Sequence, residues 1–100
     1  MKYTEKKILE IAKKVISDLN PEALKHDTIE NAFFNNEKDL SRDKKKIIIH
    51  PCWTVSINTL FDNTDFLTIS DETGEPIYYQ NFNMITAEIE KNSKGKYVIK

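Results

Sequence analysis

The sequence predicts an α+β fold: one N-terminal helix, with room for a second short one, packed on an antiparallel meander sheet of five to six strands. Three observations predict it. Apolar residues in the first twenty positions recur at helical spacing. From Ile47 onward the period changes to two. The links between the later runs are short and rich in Asp, Asn and Gly. They force antiparallel neighbours, since a parallel crossover needs about a dozen residues.

The helix comes first. Ile8, Leu9, Ile11, Ala12, Val15, Ile16 and Leu19 form a one-sided stripe. Lys6, Lys7, Glu10, Lys13, Lys14 and Asp18 take the other side. Thr4 is a suitable cap, and Asn20-Pro21 stops the run because a residue before proline avoids the α region. The helix is expected over residues 4–19. Pro21 can open a turn through Leu24. Asp27-Thr28-Ile29-Glu30 then has the spacing of an acidic capping box ahead of Ile29, Ala32, Phe33 and Phe34, which predicts a weaker second helix. Residues 35–46 are polar except Leu40 and read as an exposed loop.

The strands follow. Residues 47–50 offer one short run, with Pro51 marking a bulge or an edge. Trp53, Val55 and Ile57 alternate with Thr54, Ser56 and Asn58. Next come residues 66–70, 77–80 and 84–90, and Tyr97-Val98-Ile99 closes the set. Turn residues separate them at 62–65, 71–74, 81–83 and 92–95. One helix across a curved sheet buries both apolar faces economically.

Composition narrows the function. One hundred residues fit a single domain. One cysteine excludes an internal disulfide and a multi-cysteine zinc site, and two glycines leave no material for a phosphate-binding loop. The net charge of −1 gives no general attraction to nucleic acid or anionic lipid. No apolar run nears the ~20 residues that span a bilayer. The N-terminus lacks the uncharged core of a secretory signal, so a cytoplasmic location is expected.

Candidate chemistry is sparse. His50-Pro51-Cys52-Trp53 places a histidine and a cysteine two apart, on one side of a strand, as a nucleophilic pair would need. No residue that would orient the imidazole or stabilise an oxyanion is identifiable, and a cysteine beside a tryptophan is more often core. His26 completes a metal site with His50 and Cys52 only if the fold gathers them. No catalytic residue, metal ligand or cofactor site is therefore assigned. Asp71-Glu72-Thr73-Gly74-Glu75-Pro76 lacks the ligand spacing of a calcium loop and suits a hairpin turn. Trp53, Phe61, Phe66, Tyr78, Tyr79 and Phe82 resemble a base-stacking set, but no basic groove accompanies them. Of the adjacent Tyr78 and Tyr79, one must face outward.

Charge is segregated. Residues 1–50 carry 11 basic and 9 acidic groups, net +2, and residues 51–100 carry 4 and 7, net −3. From Pro51 to Glu90 there is no Lys or Arg, and seven carboxylates give that stretch a net −7. A one-signed surface with aromatic residues suits a basic protein partner. The expected partner-binding residues are Asp62, Asp65, Asp71, Glu72, Glu75, Tyr78 and Tyr79.

The first helix with Ile8, Ala12 and Val15, then Trp53-Thr54-Val55, then Ile69-Ser70 leading through Asp71-Glu72-Thr73-Gly74-Glu75-Pro76 to Ile77-Tyr78, resembles small bacterial proteins of cystatin-like or nuclear-transport-factor-like fold. Immunity proteins of polymorphic toxin systems are among them, and PepSY-like domains are similar too. The resemblance spans about residues 47–90 plus the first helix. This chain is shorter than the nuclear-transport-factor-like proteins and lacks clear second and third helices, and no catalytic residue carries over. The resemblance implies a cytoplasmic, non-enzymatic immunity protein that neutralises a cognate toxin, with a basic nuclease toxin fitting the acidic sheet. Two other classes are set beside it: a small-molecule-binding or enzymatic domain with a polar pocket between helix and sheet, and a structural homodimer using an edge strand or open face.

Overall fold

The computed structural model describes residues 2–20, 28–39, 49–59, 63–83 and 85–100. The turn expected from Pro21, together with His26, Leu40, Phe61, Asp62 and Met84, lies outside them.

Helix α1 runs from Glu5 to Leu19 and starts where Thr4 accepts a hydrogen bond from the Lys7 amide at 3.2 Å. Its apolar stripe buries Ile8, Ala12, Val15 and Ile16. The strands are β1 (Thr28–Asp39), β2 (Ile49–Asn58), β3 (Thr64–Ser70), β4 (Pro76–Gln80), β5 (Thr86–Lys91) and β6 (Tyr97–Ile99). They pair in chain order, each antiparallel to the next. The sequence expectation of a helix on an antiparallel meander therefore holds.

The second helix does not. Residues 28–34 belong to β1, and the strand continues to Asp39, into the stretch expected to be loop. The reason is a bulge. Ile29 lies opposite Ile57 and Ala32 opposite Val55, so an extra residue stands between two core positions. That insertion turns a spacing of two into a spacing of three, the first interval of a helical pattern. A second register shift lies between Asn35 and Lys38, opposite Pro51. Proline has no N–H to offer a ladder, and the bulge releases β1 from needing one.

Alternation divides the sheet into two faces. Trp53, Val55 and Ile57 from β2, Leu67 and Ile69 from β3, Ala32 from β1, and Ile89 and Tyr97 from β5 and β6 join the helix stripe in one core. Phe34 meets Trp53 with ring centroids 5.4 Å apart. Helix α1 touches β1 and β6, the two ends of the strand order. Six flat strands would set those ends about 24 Å apart, while a helix is about 10–12 Å across. The sheet therefore curls around the helix.

Candidate partner-binding face

The outer side of the sheet, away from α1, is built from the other half of the alternation. Cross-strand pairing aligns Phe33, Thr54, Thr68, Tyr78 and Glu88 in one row across β1 to β5. Ser56, Phe66, Gln80 and Thr86 form the parallel row beside it. Phe33 is 59% exposed, Glu88 and Glu90 are exposed, and Tyr78 is half-buried. Cys52, Thr68 and Ser70, small side chains of the same face, are buried. Among the described outward positions of β2 to β6 there is no Lys or Arg.

The acidic residues expected to gather at this face are dispersed. Asp71 is buried at the β3–β4 turn, where Oδ2 accepts from the Lys2 amide at 2.8 Å. Its Oδ1 accepts from the Tyr3 amide at 3.1 Å and from the Trp53 indole at 2.9 Å. Burial pushes this carboxyl up, but the bonds from Lys2, Trp53 and Tyr3 together hold it below the ordinary carboxylate value. Asp65 is also buried, at the opposite end of β3. It accepts from the Tyr79 hydroxyl at 2.6 Å and the Phe82 amide at 3.0 Å. Tyr79 faces the core side and Tyr78 the outer side, which settles which of the two looks outward. Glu75 is exposed, yet it accepts from the Tyr97 hydroxyl at 3.0 Å and lies 3.6 Å from Lys91 Nζ. Glu72 is exposed at the turn. Of the seven expected residues, Asp62 is outside the described set, and Asp65, Asp71 and the Tyr79 hydroxyl serve the chain's own hydrogen bonds.

The helical spacing of residues 29–34 hides the outward position of Phe33 in the sequence. Its signal was the alternation Asn31, Phe33, Asn35 against Ala32 and Phe34, legible once residues 28–36 are read as a strand.

The histidine–cysteine pair resolves differently. His50 Nε2 lies 2.8 Å from Ser70 Oγ. That oxygen accepts from the amides of Glu72 and Thr73 at 3.1 and 3.3 Å. Ser70 thereby ties the β3–β4 turn to β2. Cys52 is fully buried. Among the described residues no group of three His, Cys, Asp or Glu is placed to hold a metal ion.

Between helix and sheet, Ile8, Val15, Val55, Ile57, Leu67 and Ile69 are wholly buried. An open groove lies beside α1, lined by Glu5, Lys6, Leu9, Glu10, Lys13 and Ile29. Among the described residues no helix is long and apolar enough to cross a membrane. Comparison with family models, curated proteins and solved structures finds no match to this chain.

Proposed function

We propose that the chain is a non-enzymatic binding protein that docks a basic protein on the outer face of its sheet. The observation that carries this reading is the aromatic character of that face together with the absence of Lys and Arg from the described outward positions of β2 to β6. Phe33 and Tyr78 supply apolar contact, Glu88 and Glu90 are exposed along β5, and Glu72 flanks the turn. Aromatic residues on a face that also carries exposed carboxylates match a surface rich in Lys and Arg, and attraction between the two speeds encounter. The same charges repel a second copy laid face to face, which disfavours the homodimer on this face. The wholly buried described side chains between helix and sheet are apolar, which argues against a polar ligand pocket there.

The partner class is the one the sequence resemblance implies: a toxin made by the same cell and held inactive by occlusion. A basic substrate groove, as in a nuclease, would complement the acidic face. Co-purification at low salt with the protein encoded by the adjoining gene tests it. The expected result is a stoichiometric complex that protects the cell from that protein, with affinity tenfold or more weaker and protection reduced in Tyr78→Ala/Glu90→Lys. A protein that is harmless alone, or that does not bind at low salt, contradicts it.

A further inference from the structure

The two edges of the sheet are unlike each other. β6 has three residues, with Lys94 and Lys96 before it and Lys100 after it, and a short edge flanked by lysine resists further pairing. β1 has twelve residues. Among the described residues it pairs with β2 on one side and with no strand on the other. Residues 31–36 carry no charge and no proline, so this stretch lacks those devices that blunt an edge. Asn31, Phe33, Asn35 and Asn36 are exposed. From Asn31 to Asn35 the ladder with β2 advances one residue at a time, between the two register shifts, so the stretch is regular strand.

The order of its residues names the occupant. Asn31-Ala32-Phe33-Phe34-Asn35 is arranged about Phe33. On the outer side it reads Asn, Phe, Asn in either direction. On the core side the small Ala32 and the large Phe34 flank the same centre. Lay a second copy antiparallel beside it, with the two-fold axis at Phe33. Phe33 then faces Phe33 of the second copy, Asn31 faces Asn35, and Ala32 faces Phe34, each pair on one side of the sheet. Aromatic meets aromatic, amide meets amide and small meets large. The nearest described charge, Glu30, lies beyond the amide pair, and its two copies fall at opposite ends of the paired stretch. A two-fold interface must match itself, whereas a foreign strand asks no symmetry of β1. Edge pairing also sets the two outer faces side by side, so their charges are not pressed together.

We propose that two copies of the chain pair through β1, antiparallel and centred on Phe33, joining their sheets into one. A single strand pair covers less than the ~800 Å² per partner of a standard interface, so the dimer is reversible and depends on concentration. This pairing stands independently of the docking function proposed above.

Sedimentation velocity of the full chain tests it, from roughly 1 µM to 1 mM, the range of a weak association. The expected result is a shift from monomer to dimer. Phe33→Lys sets two like charges opposite each other and should move the midpoint at least tenfold higher. Tyr78→Ala/Glu90→Lys, on β4 and β5, should leave it unchanged. Cysteine scanning then reads the register without relying on that variant. Facing Cα atoms lie about 4.5–5.5 Å apart, within reach of a disulfide. The two copies of Asn31 lie four residues out of register, about 13 Å apart. Under mild oxidation Phe33→Cys should therefore form a disulfide dimer at least tenfold faster than Asn31→Cys or Asn35→Cys. The native Cys52 is buried and does not compete. A monomer at every concentration overturns the pairing and leaves β1 to a strand of another protein. A dimer lost in Tyr78→Ala/Glu90→Lys but not in Phe33→Lys lies on the outer face and overturns it too. Equal crosslinking at all three positions overturns the register.

Discussion

Asp71 shows how a single turn residue can be structural where its sequence suggests a surface. Its carboxylate meets three N–H donors from the N-terminal segment and β2. Asp71→Asn puts an amide donor where one of these donors now points, and should cost about 2–3 kcal/mol in urea unfolding. The pH dependence follows. Asp71 lies below its ordinary value, and Asp18 is lowered by its bond from Lys14 and then by the Tyr97 amide. The unfolded chain therefore binds more protons as acid is added. Stability from both groups is full above the unfolded carboxylate value near pH 4 and is lost as pH falls through the folded values. The urea midpoint should fall below about pH 4, less steeply in Asp71→Asn. Gly74 makes a second test. It has φ +73°, and a Cβ there would stand 2.6 Å from the Tyr3 hydroxyl oxygen. Gly74→Ala should cost more than the ~1 kcal/mol of the left-handed backbone alone, and Tyr3→Ala should relieve the excess. Gly95→Ala, at φ +79° in open space, should show the backbone cost only. The sequence marks Asp71 and Gly74 as turn residues. It does not show that folding brings Tyr3 and Trp53 onto them from 68 and 18 positions away.

At the scale of elements, α1 and the later strands were legible because each keeps one period throughout. The stripe from Ile8 to Leu19 and the alternation from Trp53 to Ile57 leave little choice of structure. In β1, by contrast, one inserted residue between Ile29 and Ala32 imitates the helical interval, and only pairing with β2 reveals the strand. The helix is fixed at both ends by aspartates. Asp71 holds the segment before it, and Asp18, bonded to Lys14 at 2.8 Å, accepts from the Tyr97 amide of β6 at 3.1 Å. β6 has only three residues, and this bond ties it to the helix. Asp18→Ala should expose the Tyr97 amide to hydrogen exchange about tenfold faster, equivalent to roughly 1.4 kcal/mol of local opening, while core amides of β2 and β3 change less. Ile8→Ala, which empties a wholly buried site, should lower global stability by about 3 kcal/mol.

The whole molecule revises the charge argument. Summed along the chain, residues 51–90 carry −7, but in space two of those carboxylates are buried at opposite ends of β3 and one is paired with Lys91. Asp62 lies outside the described residues, and the exposed carboxylates among the rest are Glu72, at the turn, and Glu88 and Glu90, on the same side of the sheet as Phe33 and Tyr78. Sequence could report the sign of the stretch because that is a sum. It could not report its distribution, since inward and outward positions alternate and the turn aspartates fold back. The outer face, rather than the total charge, is therefore the proposed docking surface. Its most direct measurement is titration calorimetry of the protein encoded by the adjoining gene, at low and high salt, into wild type and Tyr78→Ala/Glu90→Lys. Submicromolar affinity is expected at low salt, weakened tenfold or more by raised salt and again by the double substitution. Affinity unchanged by both, or no binding at low salt, would contradict the outer face as the docking surface.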